Sequence, residues 1–129
     1  MSWDFTEDGA FLALCDAFKE SGESSAIEFL ANGEGAFHFQ ELAQNAAGEG
    51  IDAAFDLWDH AGRDHATRDQ LGRLFTRHRG DEAAALVLVL FGGVVGGQVW
   101  ADDLPGLAAI EAFVEELAAV KNAAVVKWI

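Results

Sequence analysis

The sequence predicts an α+β domain, an N-terminal cluster of short helices packed with a small C-terminal β-β-α-β sheet unit. Three observations lead there. Apolar residues recur at helical spacing through the first eighty positions, in segments closed by Gly22, Gly33, Gly48, Gly62 and Gly80. An uncharged run then extends from Ala83 to Ala101, with Gln98 as its only polar side chain. One further helical stripe follows, and the chain closes on the β-branched segment Ala124 to Ile129. At 129 residues and 51% hydrophobic content, the chain can bury one core and is too apolar for disorder. A single compact domain over 1–129 is expected, helical over about 1–80 and β-β-α-β over about 83–129.

The first helix is expected over residues 5–20. Thr6 is its N-cap, Glu7 and Asp8 suit the positive end of the helix dipole, and Phe11, Leu14, Cys15 and Phe18 form the buried stripe. Residues 24–47 admit two folds. One is a helix from Ser25 to Asn32, opened by a Ser25/Glu28 capping box, then a second helix from Phe37 to Ala47. The other is a hairpin in which AIEFLA and AFHF flank NGEG. The helices are preferred because the capping box is a start signal and the apolar spacing continues through Leu42. Asp52 opens a helix over 52–61, and Thr67 with Gln70 opens another over 67–79 that buries Leu71, Leu74 and Phe75.

Within the long apolar run, Leu86 to Phe91 reads as a central buried strand. Gly92-Gly93 and Gly96-Gly97 permit a reversal, and Gln98 to Ala101 is the return strand. Asp102 or Asp103 then caps a helix with Pro105 in its first turn and an apolar face of Leu107, Ile110, Phe113, Val114 and Leu117. Asn122 ends that helix, and AVVKWI forms the closing strand. A membrane helix over Ala83–Ala101 is the rival, with small-xxx-small spacing at Gly92/Gly96 and Gly93/Gly97. Four glycines in six residues favour the hairpin.

Charge carries the functional information. The net charge is −14, and residues 1–62 hold thirteen acids against Lys19 alone. Five arginines (63, 68, 73, 77 and 79) concentrate in the following seventeen residues. An acidic body repels nucleic acid and anionic membranes and speeds encounter with a basic protein. Solubility, or adaptation to salt, would also account for such a charge. The arginines read most economically as internal partners for the acids. Nucleic-acid binding would need stacking aromatics beside them, and only Phe75 lies in that strip. The N-terminus lacks a basic segment followed by an apolar run, and the single Cys15 fits a reducing compartment, so a cytoplasmic setting is expected.

Motifs for catalysis are sparse. Asp56, His60 and Asp64 fall at i, i+4 and i+8, with His65 next to them, a pattern that on a continuous helix could hold a metal or serve general base chemistry. Gly62 interrupts that geometry. GGVVGG lacks the Lys-Ser/Thr of a phosphate loop, and no dinucleotide or nucleophile-elbow motif occurs. No cofactor is expected. The preferred function is a small acidic inhibitor that docks on a basic partner such as a nuclease, toxin or defence complex, in the general manner of bacterial immunity proteins and phage-encoded anti-defence inhibitors. The candidate contacts are Asp4, Glu7, Asp8, Glu20, Glu23, Glu34, Glu49, Asp52, Asp56 and Asp59. The alternatives are a metal-binding or hydrolytic domain built on His60, Asp64 and His65, and an oligomerisation module that pairs strand edges and buries Trp128.

Overall fold

A computed structural model describes residues 3–21, 26–60, 62–93 and 106–128. Among these residues there is no strand. Among them a 3₁₀ turn (Phe5–Glu7) leads into seven α-helices: α1 (Gly9–Ser21), α2 (Ala26–Ala31), α3 (Gly33–Asn45), α4 (Gly50–His60), α5 (His65–Arg77), α6 (Gly80–Gly93) and α7 (Leu107–Trp128). The α+β expectation is therefore corrected to an all-helical fold.

The correction has two parts. Leu86–Phe91, expected as a central strand, lies inside α6. Ala83 through Leu90 are all buried, and α6 touches α1, α3, α4, α5 and α7. A helix surrounded on every side needs apolar residues on every side, which erases the amphipathic period that would have announced it. A continuous apolar run fits a buried strand and a buried helix equally, and here Ala83-Ala84-Ala85 and the three leucines Leu86, Leu88 and Leu90, all of high helix propensity, favour the helix. Asp81 and Glu82 in its first turn reinforce the choice through the helix dipole. The second part is AVVKWI, expected as a closing strand after a stop at Asn122. Instead α7 continues through both to Trp128, so local β-propensity yields to propagation of an established helix. The return strand Gln98–Ala101, the Gly96-Gly97 pair, and the caps at Asp102, Asp103 and Pro105 lie outside the described residues. No helix of the described residues is long and apolar enough to cross a membrane.

The helices of the first half stand as preferred. Residues 26–45 form α2 and α3, not a hairpin. The expected capping residue Ser25 and the stop at Gly22 lie outside the described residues. Phe11, Leu14, Cys15 and Phe18 are buried on α1, and Leu71, Leu74 and Phe75 on α5. The α7 stripe is buried at Leu107, Ile110, Val114 and Leu117, and half-buried Phe113 meets Phe18 with ring centroids 6.3 Å apart. No polar or charged residue is buried among those described.

The capping residues differ from expectation. Asp8, not Thr6, caps α1, its Oδ1 accepting from the backbone N–H groups of Ala10 (2.8 Å) and Phe11 (3.1 Å). Asp64, not Thr67, caps α5. Gly80, expected as a stop, begins α6, and α5 ends instead at His78, whose N–H donates to the Leu74 carbonyl. Gly62 closes α4 as expected, in the left-handed region at φ 73°.

Candidate functional site

The chain direction of α1 and α3 sorts the candidate acids. Asn45, at the end of α3, donates from Nδ2 to Asp8 Oδ2 (3.0 Å) at the start of α1. The two packed helices therefore run antiparallel. Glu20 in the last turn of α1 and Glu34 in the first turn of α3 lie at the opposite end. At 1.5 Å per residue, Glu20 is about 18 Å along the helix from Asp8. Glu23 lies outside the described residues.

The remaining candidates gather around the 3₁₀ turn and α4. Asp4 Oδ1 accepts from the Thr6 N–H (3.0 Å) and hydroxyl (2.6 Å) and so starts the turn. The Trp3 backbone N–H donates to Glu49 Oε2 (2.7 Å), just ahead of α4, and its indole Nε1–H reaches Asp8 Oδ2 (3.4 Å). Trp3 thus fastens the N-terminal segment to the helices on either side. Trp3 and Phe5 meet at 6.1 Å, and their rings border an open cleft of about 520 Å³ that Asp4, Asp56 and His60 also line. Asp52, Asp56 and Asp59 follow at i, i+4 and i+7 on the exposed side of α4.

These carboxylates have unequal duties. Asp8 and Glu49 are engaged in holding Trp3, and Asp59 lies 3.4 Å from the Arg68 guanidinium. Glu7, Asp52 and Asp56 are exposed, and their carboxylates make no hydrogen bond or ion pair with the described residues. Sequence reasoning selected the acids by charge alone. It did not single out Trp3, which lies at the centre of the arrangement; the aromatic pair Trp3 and Phe5 on either side of Asp4 was the available signal.

The His60/Asp64/His65 group is dispersed by its local structure. His60 ends α4 and His65 begins α5, with the Gly62 turn between them. The Asp64 carboxylate is turned onto α5, accepting from the Thr67 N–H (3.0 Å) and the Thr67 hydroxyl (2.6 Å). These bonds, the hydroxyl first, hold the Asp64 carboxyl below its usual range. Among the described residues, no group of three or more His, Cys, Asp or Glu side chains could hold a metal ion. The strand edges invoked for an oligomerisation module are absent from the described residues, and the Trp128 side chain lies outside them.

Four of the five arginines have close partners. Arg63 lies over Trp58 at 5.6 Å, and Arg68 over Phe55 at 4.5 Å as well as beside Asp59. Arg77 reaches Glu115 at 3.1 Å, and Arg79 reaches Glu82 at 3.8 Å. Only Asp59 among those acids belongs to the acid-rich first half; Arg68 joins α5 to α4, Arg77 joins α5 to α7, and Arg79 pairs with the first turn of α6. His38 is half-buried, with Nε2 3.5 Å from Glu34 and its ring edge-on to Phe37, in keeping with a packing role.

A family model described as a domain of unknown function (DUF8667) matches residues 6–57, from the 3₁₀ turn through most of α4. No curated protein and no solved structure matches the chain. The matched segment contains Glu7, Asp8, Glu49, Asp52 and Asp56.

Proposed function

We propose that this chain is a compact acidic inhibitor that docks the face formed by the 3₁₀ turn and α4 onto a basic, nucleic-acid-binding protein such as a nuclease, toxin or defence effector. The observation that carries the reading is that Asp4 and Asp56 line the Trp3–Phe5 cleft, with Glu7 beside Trp3 and Asp4 in a neighbouring cleft and Asp52 and Asp59 on the exposed side of α4. Like charges at i, i+4 on a helix, as at Asp52 and Asp56, cost stability by about 0.2–0.5 kcal/mol. A cationic partner would reverse that cost. Carboxylates spaced along a helix can occupy the positions of nucleic-acid phosphates, while Trp3 and Phe5 offer the aromatic anchors that concentrate binding energy at interfaces. A cytoplasmic setting belongs to the same proposal and is supported by the use of a single, buried cysteine, Cys15.

The test is direct binding to a basic nuclease encoded beside this chain. Replacing Asp52, Asp56 and Glu7 with Asn, Asn and Gln should weaken binding at least tenfold. Neutralising Glu20 and Glu34 with Gln, at the other end of the bundle, should leave it within twofold. Equal losses from the two sets would refute the docking face.

A further inference from the structure

A second cleft, of about 320 Å³, opens where the end of α5 turns into α6 against α3 and α7. Its floor is apolar: Phe39, Leu86, Val114 and Leu117, all buried. Its rim carries Arg77, His78 and Arg79, with Glu82 beside them. We propose that this cleft binds a small amphipathic anion, a monocarboxylate with an unbranched apolar body, through Arg77 and Arg79. The cleft shares no lining residue with the one bordered by Trp3 and Phe5, and the inference does not rest on the docking reading.

Three features carry it. In a chain of net charge −14, two arginines border one apolar cleft, so this is where the background repulsion of anions is locally reduced. The arginine donors are not exhausted. Arg77 donates from Nη2 to Glu115 Oε1 (3.1 Å) and from Nε to His78 Nε2 (3.0 Å), which leaves Nη1. Arg79 is 86% exposed and approaches Glu82 only to 3.8 Å, beyond hydrogen-bond distance, so its planar fork is available for bidentate recognition of a carboxylate. Finally, Arg79 is the one non-glycine with positive φ among the described residues, at 20°. A sparsely populated backbone conformation of this kind must be held by its surroundings, and such residues cluster at ligand sites.

The anions already present set the ligand class. Glu82 and Glu115 flank the two arginines, so a multiply charged ligand would meet repulsion that a single carboxylate largely escapes. The remaining free energy must come from the apolar floor, which calls for a hydrocarbon body. The volume falls at the small end of ligand cavities, roughly 300–1,000 Å³.

The experiment is a calorimetric titration with octanoate below its micellar range, with octanol as the uncharged match. Octanoate should bind saturably and at least tenfold more tightly than octanol. Arg77→Gln with Arg79→Gln should remove that difference while leaving the thermal melt near wild type, since both side chains are at the surface. Ala118→Phe, which narrows the cleft from α7, should weaken both ligands. The inference is overturned if octanoate does not saturate, if octanol binds as well, or if the double variant retains the octanoate preference.

Discussion

Replacing Gly35 with alanine should destabilise the protein, although the same replacement inside a helix ordinarily does the reverse. A glycine in a helix interior costs roughly 0.8–1 kcal/mol relative to alanine. At Gly35 a β-carbon would overlap the Phe29 carbonyl oxygen of α2 and lie 2.6 and 2.7 Å from two carbons of the Phe29 ring. The ring could turn aside, but the carbonyl moves only if α2 itself shifts away from α3 and α7, which it contacts. Overpacking of this kind costs about 1–3 kcal/mol. That exceeds the helical gain, so a net loss of about 1–2 kcal/mol is expected. Gly72 is the control, because a β-carbon there would sit 3.6 Å from Phe55 Cζ, an ordinary contact. Gly72→Ala should therefore gain up to about 1 kcal/mol. In a domain of this size each kcal/mol moves Tm by about 4 °C, so thermal melts followed by circular dichroism should separate the two variants on either side of wild type. A Gly35→Ala protein as stable as Gly72→Ala would refute the close approach of α2 to α3.

Three further substitutions probe other parts of the fold. Leu88→Ala, at a fully buried position of α6, should cost about 3–4 kcal/mol in urea unfolding, whereas Leu12→Ala at a 40% exposed site should fall within about 0.5 kcal/mol of wild type. Asp64→Ala should lower stability at neutral pH and flatten its acid dependence. The Asp64 carboxyl is depressed in the folded protein, so its contribution is present above the ordinary carboxylate range and is lost as pH falls through the folded value. Melts between pH 7 and pH 2 should show a shallower acid limb in the variant, and an unchanged limb would contradict the capping role.

The parts of this fold legible in the sequence are those with one dry face and one wet face. α1 and α5 were found because Phe11, Leu14 and Phe18, and Leu71, Leu74 and Phe75, recur against polar neighbours. α6 is illegible for the opposite reason: with Ala83 through Leu90 all buried, its sequence has no period left to read. AVVKWI carried a local β preference that the preceding helix overrode. The capping errors share a cause, since Asp8 and Asp64 each lie close to an equally plausible Thr and only the bonds actually formed distinguish them. The acids of the candidate face were visible as charge. Their separation into the Asp4–Asp59 group and the distant pair Glu20 and Glu34 required the antiparallel packing of α1 and α3.

The central claim is that the acidic face, and not net charge alone, brings the partner in. The measurement that tests it most directly is the association rate with a basic nuclease between 50 mM and 500 mM salt. For the wild type the rate should fall steeply over that range, and for the variant neutralised at Glu7, Asp52 and Asp56 the fall should be much shallower. A variant neutralised at Glu20 and Glu34 carries nearly the same net charge and should follow the wild type. Tight association independent of salt, or identical slopes for the two neutralised proteins, would contradict the account.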